Sequence, residues 1–281
     1  MKKLRTAAIS LIAMVIAAVW IMYLASFHYS IAGVPVLNYH MVNDQYWSAL
    51  VMRTEDFEKQ MKYLHDNGYH TITPDELYAY INDGAALPDK PILITFDDGY
   101  ADNYTNAYPI MKKYGFTGAI FLITDTAIHT ENHRYLSWAQ VEEMAKNNFS
   151  FESHTVHHKR LTDLSQENLK NELVGARAAL KEHTGRDCIM IAYPEGEYNE
   201  TVLRAVKDAG YRIGFTVDTG RVERGNDPLL LPRIPVFEGE DPIEHMKFRL
   251  CFTPVTKWLW NVRNYLRDKW HVGWIKNMPL P

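Results

Sequence analysis

Residues 92–99 read ILITFDDG: the run Ile92-Leu93-Ile94-Thr95-Phe96 ends in two adjacent carboxylates, Asp97 and Asp98, followed by Gly99. A short apolar run of this kind is a buried strand, and it delivers both acids to its C-terminal end. Two ionised carboxylates side by side repel each other unless a cation or a shared proton lies between them. Their placement therefore implies divided roles, one acid on a metal and the other moving protons. Asp-Asp-Gly is equally good turn chemistry, and strands often end that way. The histidines favour the metal: His154-Thr155-Val156-His157-His158 follows a second short apolar run, and neutral imidazoles with a carboxylate are ligands a divalent transition metal prefers.

Outward from this strand, β-rich runs at 34–37, 119–123 and 188–193 each lead into a helical candidate. That alternation implies βα units and a parallel sheet. Weaker runs at 69–72, 149–152, 211–217 and 233–236 bring the total close to the strand number of a closed barrel. The expected fold is α/β, a distorted or incomplete (β/α) barrel. In such a barrel the loops leaving strand C-termini build the active site, and Asp97, Asp98, His154, His158 and Glu195 all fall just after predicted strands. Helix starts are marked at Thr73-Pro74-Asp75-Glu76 and at Ser137 with Gln140, and Phe57, Met61 and Leu64 form one apolar stripe. Gly68, Gly115 and Gly210 stand where a left-handed residue would end a helix.

With 281 residues, 47% of them hydrophobic, the chain can build one large core but is short for two full domains. A formal net charge of -4 gives no general attraction to nucleic acid, and no basic cluster interleaved with aromatics precedes the motifs. Nucleic acid is excluded as a partner on these grounds. Cys188 and Cys251 lack the spacing of a zinc ribbon or a redox pair and read as structural, their pairing left open.

Lys2, Lys3 and Arg5 precede residues 6–27, which carry no formal charge and are long enough to cross a bilayer as a helix. Ser30 and Ala32 offer a weak cleavage exit, and an uncleaved anchor is the favoured reading. The basic stub then lies in the cytoplasm and the rest of the chain outside the cell membrane, a single-pass arrangement. Three segments follow: 1–32 as basic stub and anchor, 33–245 as catalytic domain, and 246–281 as a basic and aromatic helical extension. In the extension Trp258, Leu259, Val262 and Leu266 fit one apolar face, suited either to packing on the barrel or to a headgroup boundary.

TFDDGY (95–100), SHTVHH (153–158) and AYPEGEYN (192–199) occur in the order found in the polysaccharide deacetylases, carbohydrate esterase family 4, and the chain resembles that family from about 34 to 236. The resemblance implies a catalytic base at Asp97 and metal ligands at Asp98, His154 and His158, with a divalent ion, zinc first, that polarises an acetamide carbonyl and acidifies the attacking water. His157 lies off the family spacing and reads as a surface residue. His40, at the end of VPVLNYH, would be the acid that protonates the departing nitrogen, with His245 as a competitor. Its position ahead of the other motifs resembles the poly-N-acetylglucosamine deacetylase branch.

Two positions depart from the commonest family pattern: Ala192, where an arginine often stands, and Glu195, where an aromatic commonly precedes Gly196. The resemblance assigns the oxyanion contact to the backbone N–H at Glu195. Arg233, in LPRIPV, either supplies the missing arginine and orients Asp97 or is a surface residue. Asp218 either orients the acid or caps a turn. The implied activity is removal of acetyl groups from N-acetylglucosamine units of an extracytoplasmic polysaccharide, preferably a poly-N-acetylglucosamine. Peptidoglycan is the runner-up, a glycan-binding protein without turnover is a rival from another class, and a deformylase of lipid-linked sugars is a third reading.

Overall fold

The computed structural model describes residues 32–45, 47–125, 135–239 and 241–253, together with Ser10, Met14, Ala17, Lys257, Val262, Arg263 and Tyr265. The strands run in chain order β1 (Val36–Tyr39), β2 (Met41–Val42), β3 (Val51–Met52), β4 (His70–Thr71), β5 (Pro91–Asp98), β6 (Ala119–Leu122), β7 (Ser150–Ser153), β8 (Met190–Ala192), β9 (Ile213–Thr219) and β10 (Leu231–Pro235). Seven of them close a parallel ring in the order β1-β10-β9-β8-β7-β6-β5, and β5 returns to β1 in register from Val36↔Leu93 to Tyr39↔Phe96. The helices are α1 (Thr54–Asp66), α2 (Pro74–Asn82), α3 (Tyr108–Lys113), α4 (Trp138–Lys146), α5 (Gln166–Thr184), α6 (Glu200–Asp208) and α7 (Pro242–Cys251).

The eighth expected strand is formed but lies outside the ring. β4 pairs only with the first residues of β5, His70↔Pro91 and Thr71↔Ile92, so the barrel closes on seven strands. The two helix starts marked by sequence are both capping boxes, at Thr73 with Glu76 and at Ser137 with Gln140. Cys188 and Cys251 are both free thiols.

Two apolar layers follow from the alternation of side chains along each strand. Val36, Leu93, Phe121, Met190, Phe215 and Leu231 fill the ring's interior. Leu37, Tyr39, Ile94, Phe96, Ile120 and Leu122 face outward and pack under the helices, where Phe57, Met61 and Leu64 of α1 are fully buried. The period of two puts Asn38 and His40 in phase with Val36, and Thr95 and Asp97 in phase with Leu93. The chemistry-bearing residues thus top the barrel's interior.

α7 packs on α1, with Gln60 Nε2 donating to the Pro242 carbonyl at 2.9 Å and Met246 buried. Residue 245, where the sequence divides catalytic domain from extension, lies inside this helix. Among the described residues no helix is long and apolar enough to cross a membrane. The expected anchor, residues 6–27, lies outside the described residues apart from Ser10, Met14 and Ala17, as does most of 254–281.

Candidate metal and catalytic site

β5 ends in backbone that only a few residue types adopt easily. Asp98 has φ 71° and Gly99 φ 76°. A Cβ on Gly99 would stand 2.2 Å from Leu122 Cδ1, so glycine is required there. Of the six non-glycine residues with positive φ among the described residues, four (Asp98, Thr155, His158 and Glu195) lie on loops around one cleft. Each such conformation costs about 1–3 kcal/mol and persists only where surrounding contacts fix it. In the histidine loop those contacts are visible. The Thr155 N–H donates to Ser153 Oγ at 3.1 Å, and the His158 N–H to Thr155 Oγ1 at 3.0 Å.

Glu172 of α5, 4% exposed, clasps the same loop. It accepts from the Val156 N–H at 3.0 Å, the His157 N–H at 2.9 Å and His157 Nδ1 at 2.7 Å. Burial pushes its carboxyl up, but the hydrogen bonds from His157 outweigh burial and hold it below its ordinary value. Glu172→Ala should let the loop relax and weaken metal binding by roughly 10-fold or more, as loss of an outer-shell partner does; titration with Zn2+ against a competing chelator measures this.

These loops bring Asp98, His154 and His158 together. One ligand atom from each lies within 4.8 Å of the others, with His154 Nε2 at 3.5 Å and His158 Nε2 at 3.8 Å from Asp98 Oδ1. The donor set fits a divalent ion on a further observation. His154 Nδ1 sits 2.8 Å from the Ala192 carbonyl, which can only accept, so Nδ1 carries the proton and Nε2 turns its lone pair toward Asp98. Burial pushes the His154 imidazole below its ordinary value against the pull of Asp97 and Asp98, which keeps it neutral and able to ligate. Two imidazoles and one carboxylate leave coordination positions open for water and substrate.

Asp97 is placed differently. Its carboxylate accepts both arms of Arg233, Nη1 to Oδ1 and Nη2 to Oδ2 at 2.7 Å each, with both residues buried. The guanidinium lies between the rings of Phe121 and Phe215, 5.4 and 5.6 Å from their centroids. Burial alone would raise the Asp97 pKa, but the Arg233 charge and hydrogen bonds outweigh it and hold the carboxyl well below the usual range. Arg233 is therefore an interior residue. Ala192 lies on β8 and Arg233 on β10, the two strands flanking β9, so the guanidinium beside Asp97 comes from β10.

Because its folded pKa is depressed, Asp97 contributes stability that is present above its unfolded pKa and lost as pH falls through the folded one. Arg233→Gln leaves this carboxylate buried without its cation, at a cost of about 3–5 kcal/mol, or roughly 10 °C in Tm. The variant should also lose Asp97's charge, and with it activity, at a higher pH than the parent, as a pH series of thermal melts and rates would record.

His40 completes the group. It lines the same cleft of about 350 Å³ as Asp97, Asp98, His154, His158 and Arg233. Burial lowers its pKa, against the pull of Asp97 and Asp98. Asn103 donates from Nδ2 to the His40 carbonyl at 2.8 Å and ties this corner to the π-helical turn Asn103–Ala107 that follows the DDG motif. Glu195 lines the cleft at φ 56°, but its carboxylate turns outward to Arg160, with Oε2 2.6 Å from Nε and 2.5 Å from Nη2. The carboxylate at this position is thus neutralised at the rim.

Asp218 also borders the cleft, where it accepts from Thr216 Oγ1 at 3.2 Å. His157 is held by Glu172 outside the metal cluster. His245 is exposed near the start of α7 and does not line the cleft. The residues that sequence reading missed are Glu172, Asn103 and the Phe121–Phe215 pair. Of these only Glu172 leaves a trace, an acid within the apolar stripe Leu169, Leu173, Ala176 and Leu180 of α5.

A family profile, polysaccharide deacetylase, matches residues 84–214. YxkH of Bacillus subtilis (strain 168), assigned as a polysaccharide deacetylase, is 36% identical over 208 residues, spanning 74% of this chain and 73% of that protein. A poly-beta-1,6-N-acetyl-D-glucosamine N-deacetylase of Staphylococcus aureus is 29% identical over 201 residues, 68% of each chain. Among solved structures, the Streptococcus pyogenes deacetylase PplD in complex with acetate superposes with a TM-score of 0.73 at 29% identity, covering 78% of this chain and 98% of its own.

Proposed function

Since this chain belongs to the polysaccharide deacetylase family, we propose that it is a metal-dependent hydrolase removing N-acetyl groups from N-acetylglucosamine units, with a poly-β-1,6-N-acetylglucosamine as preferred polymer. One observation carries the reading: a three-donor cluster within 4.8 Å stands beside a second carboxylate that is bound by arginine and excluded from the cluster. The polymer is suggested by the Staphylococcus aureus relative's substrate and by a histidine that precedes all other motifs.

Asp98, His154 and His158 would hold the ion. With a divalent ion bound, zinc by the donor types, the site would gain Lewis acidity toward the acetamide carbonyl and the attacking water. Asp97 takes the water's proton as its oxygen adds to the acetamide carbon. Arg233 keeps that carboxylate ionised and fixes its plane, so its limited basicity is offset by constant charge and orientation. The backbone N–H of Glu195 steadies the developing oxyanion. His40 gives a proton to the nitrogen as the C–N bond breaks, leaving acetate and a free amine. An imidazolium of lowered pKa gives up its proton readily.

His40→Ala should reduce kcat by roughly 10²–10⁴ with little change in KM. In the parent, activity should fall as pH rises through the His40 pKa, and this alkaline limb should vanish in the variant. Steady-state kinetics from pH 5 to 9 checks both.

We place the protein in the cell membrane through residues 6–27, with the barrel outside; the charge-free span and its basic flank support this. The decisive assay uses the full-length, zinc-loaded chain in detergent and measures acetate released from poly-β-1,6-N-acetylglucosamine and from peptidoglycan. Faster release from the former supports the proposal. Preference for peptidoglycan would reassign the polymer, and glycan binding with no acetate from either polymer would make the chain a binding protein.

A further inference from the structure

The loop after His40 carries a side chain that the fold leaves bare. Trp47 is 85% exposed, the highest value among the large hydrophobic side chains described. An indole of this size left in water forgoes the burial that usually holds it. It stands between β2 and β3, on the strand-end face of the barrel, and with Asp44, Gln45 and Arg53 it lines a depression of about 320 Å³.

Two chain neighbours tie the depression to the catalytic cleft. Leu50, on the same loop, lines the cleft. The Arg53 N–H donates to Glu238 Oε2 at 3.0 Å, next to Phe237, which also lines the cleft. The polar floor is fixed: Asp44 Oδ1 accepts from the Thr54 N–H at 3.2 Å, and Asn43 Oδ1 accepts from the Gln45 N–H at 3.0 Å. Among the described residues the Arg53 guanidinium has no ion-pair partner.

We propose that this depression is a second sugar subsite, holding a hexosamine unit next to the one being hydrolysed on the same glycan strand. The inference rests on the deacetylase reading of the cleft and adds a determinant of chain length to it. A pyranose ring has one face of C–H groups and a rim of hydroxyls. The indole offers a flat apolar surface to the face, Asp44 accepts from hydroxyls, and Arg53 and Gln45 donate to hydroxyl and acetamide oxygens. A bilayer would also take an indole and a guanidinium, but the acid and the amide that line the same depression suit sugar hydroxyls better. The loop shared with Leu50 and the Arg53–Glu238 bond put the depression near the cleft, which favours another unit of the same polymer.

The test compares dimers and hexamers of β-1,6-linked N-acetylglucosamine with the full-length, zinc-loaded chain in detergent. Trp47→Ala should lower kcat/KM for the hexamer about tenfold, through KM, and for the dimer less than about twofold, while Trp47→Phe keeps most of the hexamer's advantage. Equal losses on both oligomers, or none on the hexamer, would overturn the subsite. Loss of activity only after reconstitution into phosphatidylglycerol vesicles would overturn it in favour of a bilayer contact.

Calorimetry of hexamer binding to Asp97→Asn, with and without Trp47→Ala, separates this inference from the deacetylase reading. A parent that releases no acetate defeats that reading alone. A hexamer Kd that Trp47→Ala raises about tenfold still supports the subsite, and an unchanged Kd overturns it.

Discussion

Asp97→Asn is expected to reduce acetate release by on the order of 10³-fold or more in kcat while leaving one metal ion bound per chain. The substitution keeps the side chain's size and one accepting oxygen but removes the charge and the capacity to take a proton. Asp98, Glu195 and Asp218 also line the cleft, but the guanidinium of Arg233 holds Asp97. Asp98 is turned away into the histidine cluster, and the Glu195 carboxylate is bound to Arg160 at the rim. Arg233 would then be a buried cation facing a neutral amide, so the variant should also melt earlier than the parent, by up to the cost of breaking a buried pair, about 3–5 kcal/mol. The two effects are separable. Circular dichroism and metal content establish that the variant is folded and loaded, and the rate measured well below its Tm reports the missing base. A folded, loaded variant with near-parental turnover would remove Asp97 from the chemistry.

His154→Ala should have the complementary signature, with metal affinity lost first and activity lost as its consequence. It removes one of three ligands, so the fall in affinity should exceed the roughly 10- to 100-fold that loss of an outer-shell partner costs. His154 suits this test because it is 4% exposed and its tautomer is fixed by the Ala192 carbonyl, so no neighbouring imidazole can take its place. The cavity left is small and polar. Excess zinc should restore part of the turnover in this variant and none in Asp97→Asn.

Much of the ring was legible because its strands are continuous apolar runs between helical stretches, and 92–96 and 119–123 correspond to β5 and β6 within a residue or two. The sequence could not separate β4 from the ring, because a two-residue strand pairs too briefly to leave a periodic signal. β2 and β3 were missed for the same reason. Strand ends showed that these side chains could converge, since a parallel barrel gathers what its C-terminal ends carry, but the choice of Asp98, His154 and His158 over Asp97 and His157 came from the family resemblance.

Arg233 was harder. Whether it faced solvent or Asp97 depended on strand parity, and the pairing shifts between Leu231↔Phe215 and Arg233↔Thr219, so neighbours cannot be counted across from β9. The outward turn of the Glu195 carboxylate left no mark in the sequence, because its partner Arg160 is 35 residues away. The Glu172 clasp likewise spans two elements, and only an acid out of place on an apolar helix face hinted at it.

The geometry fits one divalent ion gripped by Asp98, His154 and His158, with Asp97 held beside it on Arg233. Anomalous diffraction at the zinc edge, from crystals of the full-length chain grown with zinc, tests it most directly. A single peak is expected, bonded to Asp98 and to Nε2 of both histidines, with the Asp97 carboxylate still on Arg233. A peak ligated by Asp97, or one away from these three side chains, would contradict it.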